Sequence, residues 1–206
     1  MKINTVISPR VSVEPNGPKN KIQLLSFAVI ASSVIIGTLI LILSKDYISS
    51  DILSEFEGYF SSLENKNTLE VFTGFLLSHI PYIMLMIVLG TCTYGTAFIL
   101  ILSFLKVSGL SVLNAVIYST FGLKGIEYSL LVSHPGKFVL LLSVLLMTEF
   151  CIENSQKINS RLKGESKKQD SNNLYAVKIT VAVLLFIFSS LIDCFFTISF
   201  SSLFNF

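Results

Sequence analysis

The chain has 206 residues, of which 52% are hydrophobic and 14% charged, with a formal net charge of +2. Soluble domains carry about 25% charged residues, so this composition excludes an ordinary soluble domain and points to lipid. So small a net charge also excludes nucleic acid as an expected partner.

Residues 1–21 are polar and punctuated by Pro and Gly, with Lys2, Arg10, Lys19 and Lys21 against Glu14 alone, as in a cytoplasmic tail. The run Leu24–Leu43 has no charge over 20 residues, the length needed to cross about 30 Å of hydrocarbon. It is longer than a signal-peptide core and no A-x-A-like site follows, so it reads as an uncleaved first transmembrane helix.

Residues 44–70 form an acidic segment in which Asp46, Asp51, Glu55, Glu57, Glu64 and Glu70 oppose Lys45 and Lys66. Within it Ile48, Ile52, Phe56, Tyr59, Phe60 and Leu63 recur at helical spacing, which predicts an amphipathic helix. It either lies on the membrane or caps the bundle, or it docks an external partner.

From Val71 to Cys151 the chain is almost continuously apolar, and Glu153–Lys178 then turns basic, with six cations against three anions. A last apolar run, about Val177 to Phe200, is interrupted by Asp193 near its end. Basic loops stay cytoplasmic. The N-terminus and the 153–176 loop are therefore expected inside, and the 44–70 segment outside. An odd number of crossings must lie between residues 71 and 152. Three fit, near 71–92, 95–119 and 126–151, giving five in all and an extracytoplasmic C-terminus. The expected fold is all-α: one polytopic membrane bundle over residues 22–206.

Chemistry finds little support in the residues. No H-E-x-x-H, G-x-S-x-G or G-x-x-x-x-G-K-[ST] motif occurs, which leaves no zinc protease, serine hydrolase elbow or nucleotide-binding loop. Cys92, Cys151 and Cys194 are odd in number and lie in or beside apolar runs, so they read as small apolar residues rather than disulfides. His79 and His134 lie far apart, and no metal or other cofactor is expected. Glu127, Glu149 and Asp193 fall on different expected helices and read as helix-end residues. An enzyme is not expected.

Polar groups inside the apolar runs remain, and charges there suggest function by default. Lys106 sits about halfway along its span and either snorkels, pairs with a carboxylate on a neighbouring helix, or lines a path. His79, two residues before Pro81, reads as a packing histidine. The stretch SLLVSHPGKFVLLLS carries His134, Pro135, Gly136 and Lys137. Pro135 has no N–H to donate and Gly136 admits a positive φ, which predicts an interrupted helix near mid-membrane. Such a break needs cover from protein, so His134 and Lys137 should face the interior. Residues 122–133 are also short enough to dip in and return, which would change the number of crossings.

In order, the chain carries a lone first helix, a short external segment, HIPYIMLMIVLG (79–90), ILSFLKVSGLSV (101–112), FGLKGIEYSLL (121–131), the Pro-containing break, a basic loop and a final helix. This ordered set resembles the stage II sporulation protein M family. The resemblance implies a multi-pass protein of the mother-cell or septal membrane that is not itself an enzyme. It implies a scaffold recruiting two peptidoglycan-degrading partners, stage II sporulation proteins D and P, for engulfment of the forespore. In the wider superfamily many members carry Pro-His-Gly followed by a glutamate at the break. Here the order is His134-Pro135-Gly136 followed by Lys137, with no acid, which favours a structural use of the break. The other reading is a transport subunit, a permease-like partner of an ATPase with a polar path at the break. Membrane lipids are expected partners in either case, and homo-oligomerisation stays open.

Overall fold

The computed structural model describes residues 17–43, 67–163 and 172–200. Hydrocarbon offers no hydrogen bonds to the backbone, and the chain meets that constraint by forming helices. The described elements are α1 (Gly17–Leu43), α2 (Thr68–Thr91), α3 (Gly95–Tyr128), α4 (His134–Leu162) and α5 (Asn172–Phe200). A π-helical turn, Ser129–Ser133, joins α3 to α4.

Four helical stretches are long and apolar enough to cross a membrane, and the third of these, Gly95–Leu162, is 68 residues long. At about 1.5 Å per residue it would extend roughly 100 Å, far beyond one bilayer. The chain folds back at Gly122, whose φ of +58° is the one positive value among the described residues. Contacts confirm the reversal. Lys137 of α4 bonds Asn114 of α3, the hydroxyls of Thr148 and Ser103 are 2.6 Å apart, and Ser155 donates to the Cys92 carbonyl at 2.8 Å. Numbers rise along α4 as they fall along α3, so the two helices are antiparallel and the long stretch supplies two crossings.

The remaining pairs follow the same alternation. Lys106 of α3 reaches the Ser78 carbonyl of α2, while Tyr82 meets Ser103. Between α2 and α5, Cys194 lies against the Thr68 carbonyl and the His79 ring is 5.7 Å from that of Phe186. Between α4 and α5, Ser189 bonds the Gly136 carbonyl and Lys178 pairs with Glu153. For α1, Gln23 donates to Glu149 at 2.9 Å and Gly37 packs on the Ser108 backbone. It therefore runs parallel to α3 and begins at the bundle end where α4 leads into α5. The link from α1 to α2 lies at the opposite end.

The bundle interior mixes an apolar core, with Met86, Ile99, Met147 and Phe186 fully buried, with small hydroxyl side chains, and its exterior is apolar. Ser26, Ser33, Ser103, Ser143, Thr148 and Ser189 are fully buried, whereas Leu24, Phe27, Leu77, Phe98, Phe138 and Phe195 are exposed. In water such an apolar exterior would aggregate. In lipid it is the expected face, and small residues inside let the helices approach closely.

Two expectations are corrected here. The interruption expected at Pro135-Gly136 lies instead at Gly122: Gly136 has no positive φ, and Pro135 occupies the first turn of α4. Helical backbone passes through the π turn, where the His134 N–H bonds the Ser129 carbonyl five residues back. That wider turn accommodates a proline that would clash with a normal α turn. Residues 123–133 are thus helix leading into α4 rather than a separate loop that dips in and returns. The second correction concerns the polar region from residue 153, which stays helical to Leu162, so the link to α5 is far shorter than 153–176.

A Cβ placed on Gly122 would meet nothing within 4 Å, so a substitution there tests backbone strain alone. Gly122→Val is expected to destabilise the folded protein by about 1–3 kcal/mol. Gly74→Ala, another site where an added Cβ meets nothing, should be neutral or mildly stabilising. Unfolding in detergent followed by circular dichroism separates the two.

Candidate functional site

Pro81 sits inside α2. Its ring opens the turn before it, and the Ser78 carbonyl in that turn accepts a hydrogen bond from Lys106 Nζ at 3.3 Å. The same ammonium lies 6.0 Å from the centre of the Tyr82 ring, at the outer limit of a cation–π contact. Lys106 has no carboxylate partner among the described residues. Deeper in, Tyr82, Ser103 and Thr148 align their hydroxyls across α2, α3 and α4, so the helices that hold Lys106 are joined by a buried polar string.

A second cation enters from α4. Lys137 donates to Asn114 of α3 and interacts electrostatically with Asp193 of α5. Asp193 is buried, and a Cβ added to Gly136 would overlap its carboxylate. Glycine at position 136 leaves room for the Asp193 side chain, which any larger residue there would displace. Ser189, one turn before Asp193, seals the contact by donating to the Gly136 carbonyl at 3.0 Å.

His79, Lys106, Lys137 and Asp193 converge on a cavity of about 710 Å³ enclosed by α2, α3, the π turn, α4 and α5. Its walls are otherwise mainly apolar, including Leu110, Ile117, Val132 and Leu140. His79 is buried and its Nε2 has no hydrogen-bond partner among the described residues. With two lysines against one carboxylate, the cavity carries excess positive charge.

Of the residues singled out from sequence, His79, Lys106 and Lys137 therefore share one cavity. His134 does not line it. Its Nδ1 is 2.8 Å from the Ser129 carbonyl, and its Nε2 is 3.4 Å from the Tyr118 hydroxyl, so it ties the π turn to α3. Pro135 and Gly136 shape α4. Ile48, Ile52, Phe56, Tyr59, Phe60 and Leu63 lie outside the described residues.

The reading of Asp193 and Glu149 as helix-end groups is corrected, since both are buried inside the bundle. Glu149 accepts from Gln23 of α1. Asp193 was legible in one respect: Ser189, Asp193 and Thr197 are spaced four apart, so they form one polar stripe on an otherwise apolar helix. Asn114, the partner of Lys137, had no such signal. Among the described residues no three His, Cys, Asp or Glu side chains gather as metal ligands.

Gly136→Ala should cost stability at the low end of the about 1–3 kcal/mol typical of overpacking, because the methyl displaces a side-chain carboxylate rather than backbone. That cost should shrink when Asp193→Ala is already present, since the clash is with that carboxylate. A double-mutant cycle on the unfolding free energy measures the coupling. Additive effects would show that α5 does not press on Gly136.

The family model of stage II sporulation protein M matches residues 26–198. No curated protein and no solved structure matches the chain.

Proposed function

Because the chain belongs to the stage II sporulation protein M family, matched from early α1 to near the end of α5, we propose that this sporulation-related membrane protein is a non-enzymatic scaffold. In this reading it localises peptidoglycan hydrolases, the stage II sporulation proteins D and P, at the septal membrane during engulfment. The observation that carries the reading is the family match itself.

The arrangement of the helices supports it. The α1–α2 link lies at the opposite end of the bundle from the α4–α5 link. With cations concentrated in the tail and the latter link, the positive-inside rule puts that end in the cytoplasm. The acidic 44–70 segment then faces the compartment that holds the wall, where it can dock its partners. A transport role is the second reading, favoured by the cavity lined with Lys106 and Lys137.

Two measurements test these assignments. Affinity purification of the tagged chain from sporulating-cell membranes should recover both hydrolases, and replacing residues 46–66 with a neutral linker should abolish recovery. Equal recovery from both forms would remove the docking role of that segment. For orientation, Cys92 is exposed at the α2–α3 turn, whereas Cys151 and Cys194 are buried. A membrane-impermeant maleimide should label Cys92 only after permeabilisation. Labelling of intact protoplasts would invert the topology.

A further inference from the structure

We propose that the cavity between α2, α3, α4 and α5 binds the phosphate head group of an anionic membrane lipid, which enters sideways between α2 and α3. This goes beyond the scaffold reading and does not depend on it.

Three features carry the inference. The first is charge. Lys106 and Lys137 both line the cavity, and among the described residues Asp193 is the one carboxylate there. Positive charge left unbalanced within a bilayer is costly, so such groups find counter-charges. Asp193 interacts with Lys137, and among the described residues Lys106 has only a carbonyl and an aromatic face. An anionic oxygen in the cavity would supply the missing charge.

The second feature is the donor set. Lys106 and Lys137 bring two ammonium groups to one cavity, a set suited to a phosphate with several acceptor oxygens. His79 lines the same cavity, but its Nε2 is covered by protein atoms and is not one of those donors.

The third is the shape and lining of the site. Its mainly apolar wall suits an amphiphile better than a small soluble anion. On the α2–α3 side, Ser78, Leu105 and Gly109 are exposed, and a Cβ added to Gly109 would meet nothing within 4 Å. The cavity therefore has a side opening between helices at the lipid-facing surface. Lys137 precedes Glu153 on α4 by 16 residues, about 24 Å of helix. With the Glu153–Lys178 pair taken as one boundary of a layer about 30 Å thick, Lys137 lies toward the other, where lipid head groups lie.

The test is native mass spectrometry of the full chain, delipidated in detergent and titrated separately with four probes. These are phosphatidylglycerol, a long-chain isoprenyl monophosphate, phosphatidylcholine and inorganic phosphate. Phosphatidylglycerol or the isoprenyl phosphate should bind at least tenfold more tightly than phosphatidylcholine. Whichever of the two binds better identifies the source of the head group. Lys106→Gln combined with Lys137→Gln should weaken that binding at least tenfold, and Lys106→Arg combined with Lys137→Arg should retain it. Gly109→Phe adds bulk at the side opening without removing a charge, at a position where an added Cβ meets nothing, and it too should weaken binding at least tenfold. This variant decides the matter if the glutamine pair fails to fold. Equal binding of phosphatidylcholine and phosphatidylglycerol would overturn the proposal. So would wild-type affinity in Gly109→Phe, or inorganic phosphate competing as strongly as lipid.

Discussion

The contact of α5 with α4 at Gly136 is the constraint on which the rest of this bundle turns. Asp193 lies where a side chain at 136 would be, and Ser189 bonds the carbonyl beside it. That approach brings a carboxylate to Lys137, which in turn holds Asn114 of α3. Three helices are thereby fixed to one another by polar groups far from bulk water. The cost of leaving such groups unpaired in hydrocarbon is what makes the arrangement specific.

Elsewhere the same economy appears in weaker form. Interhelical hydrogen bonds in membrane proteins average only about 0.6 kcal/mol each, so Tyr82, Ser103 and Thr148 set alignment more than they add stability. Close packing supplies the attraction. Gly37 approaches the Ser108 carbonyl so closely that a Cβ would lie 2.7 Å from it, and this brings α1 onto α3. Most buried serines satisfy their own hydroxyls on the preceding turn, as Ser33 does on the Ile30 carbonyl and Ser143 on Val139. Ser26 and His79 depart from that pattern, with Ser26 Oγ and His79 Nε2 lacking partners among the described residues.

Function divides along the bundle axis. At one end α1 finishes and α2 begins, and on the proposed scaffold reading a partner would bind beyond that end. Between α2 and α3 lies the cationic cavity, where a lipid can be held. The two regions share only the rigid helices between them, so a family role in localising other proteins and a lipid-binding site are physically compatible in one chain.

The sequence by itself determined the class and the succession of apolar runs, because length and hydropathy are local properties that the bilayer reads directly. It also singled out His79, Lys106 and Lys137, since an ionisable side chain in an apolar run is conspicuous wherever it points. Tertiary structure decided the rest. Pro135-Gly136 looked like a break because proline and glycine usually disrupt a helix. Instead a π turn absorbs the proline, and the glycine makes room for Asp193. The reversal at Gly122 resembled any other glycine in an apolar stretch until its φ was known. That two lysines, a histidine and an aspartate from four helices line one cavity follows from packing between residues as much as 114 positions apart, which no local pattern encodes.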